Sequence, residues 1–107
     1  MSIVINSTFL HQAVPVMVQK EEIGQFSFPN QEVLRDKNAI VNRFKLLQLA
    51  TTLGNIDQQK ISIVFQDEWG LKMVTTTIWS TCDTHITLKG GTSLPINRIF
   101  SVNFYGE

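Results

Sequence analysis

The sequence predicts an α+β protein: an N-terminal extended segment over residues 1–28, one amphipathic helix over 30–54, and a five-strand antiparallel meander over 58–105 that closes into a small barrel. Three observations carry this. β-Branched residues cluster at both ends of the chain, a helical period appears between Gln31 and Leu53, and strand-like alternation punctuated by turn residues fills the rest. At 107 residues, 43% of them hydrophobic, the chain has the length of a single domain with one core.

The first segment holds Ile3, Val4 and Ile5, then Val14, Val16 and Val18, residues that suit a pleated surface. Alternation puts the three valines of the second run on one face, and Pro15, which has no N–H to give, assigns that strand to an edge. QKEEIGQFSFPN then reads as a connection, marked by Gly24 and Pro29.

In the helix, Val33, Ile40, Phe44 and Leu47 recur at helical spacing, with Leu34 and Val41 widening the stripe. Asn30 is the expected N-cap, Glu32 suits the positive end of the dipole, and Gly54 stands where a left-handed residue ends a helix. Arg35, Lys37, Arg43 and Lys45 outnumber Glu32 and Asp36, the balance of an ordinary solvated face.

KISIVFQ alternates Ile61, Ile63 and Phe65. DEWG supplies a turn around Gly70, and LKMVTTTIWS follows as a long strand, so the two runs should pair as an antiparallel hairpin. TCDT reverses the chain again, HITLK places Ile86 and Leu88 on one side, and Gly90-Gly91 makes a third turn. Pro95 then interrupts the β signal while Ile96, Ile99 and Val102 recur by threes. That spacing predicts a short 3₁₀ turn at a corner, before Phe100, Val102 and Phe104 resume spacing two.

The stretch KISIVFQDEWGLKMVTTTIWSTCDTHITLKGGTSLPINRIFSV, within residues 58–104, resembles the small β-barrel of Sm-like proteins in its order of strand, acidic-glycine turn, long bent strand, short strand and final corner. Sm-like RNA binders carry an Asp and an Asn around the second and third strands and a basic pair near the last corner. His85 stands about where the Asn would be, Thr81 rather than Asp lies four before it, and Asn97-Arg98 echoes the basic pair. TCDTHITLKGG followed by LPINRIFSV is also similar to the strand-turn-strand of bacterial pleckstrin-like domains, which end in a helix; the few residues after Val102 favour the barrel.

Nine basic residues balance nine acidic ones without a run of either sign, which removes bulk attraction to nucleic acid or anionic membrane. No apolar run has membrane-spanning length, and Lys20, the first basic residue, follows Pro15, unlike the order of a secretory signal. A lone Cys82 permits no intrachain disulfide, and the expected location is cytoplasmic.

Cys82, Asp83 and His85 are the only local grouping with catalytic or metal-binding chemistry. A thiolate would need the imidazole within hydrogen-bond reach, and His11 is the only other histidine, so neither a metal nor a cofactor is expected. Asp67 and Glu68, being adjacent, point to opposite faces and read as turn solvators. Trp69, in a turn, either folds back on the barrel or marks a contact surface, whereas Trp79 is expected to be buried against the helix.

The leading functional expectation is a non-enzymatic binding or assembly module that self-associates, most simply as a dimer, through its proline-marked N-terminal segment. The alternative is single-stranded nucleic-acid binding on a barrel face, and the third is an enzyme using Cys82 and His85. The candidate binding residues are Trp69, Lys72, His85, Lys89 and Arg98.

Overall fold

The computed structural model describes residues 14–104. Expectations for Ile3, Val4, Ile5 and His11 lie outside the described residues. Among the described residues, seven strands rather than an extended segment and a five-strand meander, with one α-helix, follow in the order β1 (Val16–Met17), a 3₁₀ helix η1 (Lys20–Gln25), α1 (Lys37–Asp57), β2 (Ile61–Gln66), β3 (Leu71–Thr76), β4 (Ile78–Thr81), β5 (His85–Leu88), β6 (Ser93–Pro95), a 3₁₀ turn η2 (Ile96–Arg98) and β7 (Ile99–Phe104).

The strands form two sheets, ordered β1-β3-β2-β7 and β4-β5-β6, and the described strands do not close into a barrel. The meander is present, since β2 pairs antiparallel with β3 from Ile61↔Thr76 to Gln66↔Leu71, and β4, β5 and β6 pair in succession. The closed barrel gives way at Thr77. The long threonine-rich run stops hydrogen-bonding along one sheet there and restarts in the other. Thr77 is buried, its hydroxyl donates to Gln58 O at 3.2 Å, and its carbonyl accepts from Lys89 N at 2.9 Å, so local bonds outside the ladder hold this break.

β7 returns to pair with β2, from Ile61↔Phe104 to Phe65↔Ile99. η2 makes the corner that spacing three predicts, and Ile96, Ile99 and Val102 are all buried. They join Ile61, Ile63, Phe65, Val74, Ile78, Ile86, Leu88 and Leu94 in one core.

The helix begins six residues later than an N-cap at Asn30 implies and ends three residues beyond Gly54. Asp36 is the N-cap, accepting from Ala39 N at 3.1 Å. Residues 30–33 stay out of the helix because tertiary bonds claim their backbone: Asn97 Nδ2 donates to Asn30 O at 2.7 Å, Arg98 Nη1 to Gln31 O at 2.7 Å, and Val33 N to Asn97 O at 2.9 Å. At the other end Gln58, not Gly54, takes the left-handed conformation, and its N–H returns to Gly54 O at 3.0 Å.

The buried seam of α1 is Arg43, Leu47, Ala50 and Gly54, rotated from the stripe that the apolar residues suggest. Small residues at Ala50 and Gly54 let the helix approach β4: a Cβ on Gly54 would sit 2.5 Å from Ile78 O. Ile40 and Phe44 are half-buried and Val41 is exposed, so much of the predicted apolar face looks elsewhere.

The N-terminal part is only briefly a strand. β1 pairs in parallel with β3, Val16↔Lys72 and Met17↔Met73, before η1 packs Ile23 into the core. Val14 and Val16 are exposed and Val18 is half-buried. Phe26 and Phe28, two residues apart, both lie on Phe65, with ring centroids 6.4 and 6.1 Å away. Among the described residues no helix is long and apolar enough to cross a membrane.

Candidate binding groove and sheet edge

The apolar face that α1 turns away from the core lines a groove of about 1110 Å³. Ile40, Val41 and Phe44 form its helical wall. Ile23, Phe26 and Phe28 form the opposite wall, and Pro95 and Ile96 contribute from the corner before β7. Asn30, Gln48, Thr84 and Asn97 place polar groups around this lining. The groove exists because residues 26–32 run as a strap between η1 and α1 instead of entering the helix.

One ion pair holds that strap. Arg43, 5% exposed, donates Nη1 to Glu32 Oε2 and Nη2 to Glu32 Oε1, both at 2.7 Å, and Nη1 also reaches Ile99 O at 3.0 Å. The parallel fork fixes both side chains. Hydrogen bonding to Arg43 holds the Glu32 carboxyl below the usual carboxylate range; burial opposes this and the Leu34 amide assists it. Arg43 Nε is buried without a partner among the described residues. The sequence reading assigned Arg43 to a solvated face. Its spacing of four from Leu47 was the available signal, since that places both on one side of a helix.

The β2–β3 turn is organised by a second buried charge. Asp67 is 2% exposed, and its Oδ1 accepts from Trp69 N and Gly70 N at 3.0 Å each and from Lys72 Nζ at 2.8 Å. Burial pushes this carboxyl up, but the Lys72 ammonium and the two amides outweigh burial and leave it below its ordinary value. Asp67 is therefore a buried organiser of the turn, not a solvated turn residue, whereas Glu68 is exposed.

The five candidate residues are not brought together. Trp69 is 83% exposed at the tip of the β2–β3 turn, which makes it a surface group. Lys72 is engaged by Asp67 and lies 5.1 Å over the Phe26 ring. Arg98 is buried, giving Nε to Gln66 O at 3.0 Å and Nη1 to Gln31 O at 2.7 Å. Lys89 is exposed beside the Gly90-Gly91 turn, where both glycines have positive φ. Only His85 lines the groove. Trp79, expected against the helix, is 47% exposed, while its carbonyl accepts from Asn55 Nδ2 at 3.4 Å.

Cys82 is exposed and joined to His85 through the backbone, with Cys82 N donating to His85 O at 2.9 Å. The His85 ring meets Thr84 Oγ1 at 2.9 Å, so Thr84 rather than the thiol engages the imidazole. Backbone N–H groups of Thr84 and His85 lower the thiol pKa below its ordinary value. No group of three or more His, Cys, Asp or Glu side chains able to hold a metal occurs among the described residues.

The other notable surface is the side of β1 that no other strand covers among the described residues. Val14, Val16 and Met17 are exposed there, and continuing the parallel register places Val14 level with Gly70, beside Trp69. Comparison with family models, with curated proteins and with solved structures gives no match in any of the three.

Proposed function

We propose that this protein is a non-enzymatic binding and assembly module that self-associates, most simply as a dimer, through the outer edge of β1. The observation that carries this reading is that a strand edge that no other described strand covers coincides with exposed Val14, Val16, Met17 and Trp69. Val18 N donates inward to Met73 O at 2.9 Å. Backbone direction alternates along a strand, so Met17, one residue earlier, turns its N–H and C=O outward. An apolar outer strand without charged gatekeepers is a template for pairing. Two copies of β1 meeting antiparallel about a two-fold axis would present the same patch to each other, as an isologous interface requires.

Support for the finer fold reading lies in the strand succession. β2, a strand bent at Thr77 into β4, short β5 and β6, a one-turn 3₁₀ corner and a final β7 beside β2 follow the order expected of an Sm-like small barrel. Nucleic-acid binding in that manner draws less support, because Lys72 and Arg98 are already engaged within the fold.

Native mass spectrometry of the full chain and of Met17→Lys tests the proposal. The expected result is a dimer that the lysine converts to monomer, with the melting temperature retained because Met17 is exposed. A wild-type monomer at tens of micromolar, or a dimer indifferent to Met17→Lys, would overturn it.

A further inference from the structure

We infer that the groove between the strap and α1 binds a free aliphatic monocarboxylate, with its tail along the apolar walls and its head at Lys45 and Gln48 on the lip. The groove has the form of a ligand site. It measures about 1110 Å³, just above the roughly 300–1,000 Å³ of small-molecule pockets, and combines largely apolar walls with a few polar groups around them. Phe26, Phe28, Ile40, Val41, Phe44 and Ile96 supply the apolar lining.

The charges of the lining select the head. Its ionisable groups are Glu32, Arg43, Lys45, Asp83 and His85. Glu32 and Arg43 neutralise each other through their paired bonds at 2.7 Å. Lys45 is exposed and makes no ion pair among the described residues, which leaves this side of the groove with one positive charge in excess. Arg43 Nε is likewise a donor without a partner among the described residues. The unmet polar groups of α1 therefore call for an acceptor that carries negative charge. Asp83 is exposed in the β4–β5 turn, and its carboxylate turns an anionic head away from that turn and towards α1.

Helical spacing places the rest. Gln48 follows Lys45 by three residues, so an ammonium and an amide from neighbouring turns can share one carboxylate. Val41 precedes Lys45 by four residues and is 53% exposed, so apolar surface begins beside the ammonium. A tail leaving the head there runs over Val41 and Phe44 towards the opposite wall of Phe26 and Phe28. Because Lys45 and Gln48 are exposed, the carboxylate keeps part of its hydration at the lip and only methylenes leave water. A ligand charged along its length would lose that advantage.

Titration of the full-length chain with octanoate, decanoate and 1-octanol, each below the concentration at which it aggregates, tests the inference by calorimetry and amide NMR shifts. The expected result is saturable one-to-one binding of the acids, with shifts concentrated in residues 40–48 and 93–97. Decanoate should bind about 15-fold more tightly than octanoate, since each methylene removed from water is worth about fourfold. Lys45→Glu should weaken octanoate about tenfold and leave 1-octanol within about twofold, because it reverses a charge at the head and touches no part of the tail. Val41→Asp should weaken both. Lys45 and Val41 are exposed, so both variants keep a cooperative melting transition. Absence of saturable binding, shifts confined to other surfaces, octanoate affinity indifferent to Lys45→Glu, or a parallel loss of 1-octanol in that variant would overturn the inference. Native mass spectrometry of the same samples separates it from edge-mediated self-association: a monomer that binds decanoate removes only the dimer, and a dimer that does not bind it removes only the ligand site.

Discussion

Replacing Gly54 by Ala sets two physical effects of opposite sign against each other. In an isolated helix the change stabilises, by about 0.8–1 kcal/mol. Here the new methyl would lie 2.5 Å from Ile78 O and 2.9 Å from Thr77 Cγ2, against an ordinary contact of 3.4–4 Å. The carbonyl belongs to β4, which is paired with β5, and cannot rotate aside as a side chain would. Helix and strand must separate by about 0.9 Å, the difference between that contact and 3.4 Å. The separation strains the Thr51–Thr81 hydroxyl contact at 2.6 Å and the Asn55–Trp79 bond at 3.4 Å. Overpacking costs about 1–3 kcal/mol, and a clash with strand-paired backbone falls in the upper part of that range, about 2–3 kcal/mol. Offset by helix propensity, the expected net loss is about 1–2 kcal/mol, or roughly 5–10 °C in Tm for a chain of this size. Urea and thermal unfolding followed by circular dichroism measure it. Gly24→Ala, where nothing lies within 4 Å of the added Cβ, serves as the control and should change stability by less than about 0.5 kcal/mol. A Gly54→Ala variant as stable as wild type, or more so, would refute the close-packing argument.

Glu32→Gln should cost about 1–2 kcal/mol at neutral pH, less than a fully buried pair because the Glu32 side chain is 31% exposed while Arg43 stays buried; urea titration reads it. Glu32 and Asp67 both have folded-state pKa values below their ordinary ones, so their contribution is complete above the usual carboxylate range and is lost as pH falls through the lowered values. Stability should accordingly decline on acidification from about pH 5, and Glu32→Gln should show a shallower decline; parallel slopes would show that the Arg43 pair does not contribute to acid sensitivity. For Cys82, the rate of iodoacetamide alkylation should rise with pH at a midpoint below that of a free cysteine, because backbone amides stabilise the thiolate. Cys82→Ser should leave Tm unchanged, and a thiol that alkylates only at the midpoint of free cysteine would contradict the turn geometry.

Local pattern carried the strands well. Alternation in Ile61, Ile63 and Phe65 places all three in the core, and the pair Ile86 and Leu88 behaves likewise. Spacing three after Pro95 identifies η2, because a 3₁₀ turn brings those residues to one side within a few residues of chain. The same logic failed on the helix. Val33 and Leu34 extend its apolar period, but bonds from Asn97 and Arg98, more than sixty residues away, hold the preceding backbone in a strap. The groove was illegible for the same reason. Its walls come from η1, α1 and the corner before β7, and no sequence window spans all three. Of the candidate residues, Trp69 is exposed rather than folded back on the sheets, which local pattern left open, while Lys72 and Arg98 were cations whose partners could not be inferred from local spacing.

By itself, the sequence determined the α+β class, one α-helix ahead of the strand meander, the β2–β3 hairpin, the turns at Gly70 and Gly90-Gly91, and the corner at Ile96–Arg98. These depend on side-chain period and backbone freedom, which act within a few residues. Only the tertiary structure decided that the long strand changes sheets at Thr77, that α1 packs through Arg43, Leu47, Ala50 and Gly54, and that its Ile40–Phe44 face lines a groove. Those outcomes depend on where distant carbonyls, carboxylates and small residues meet, and a free energy shared between remote parts of the chain leaves no local period to read.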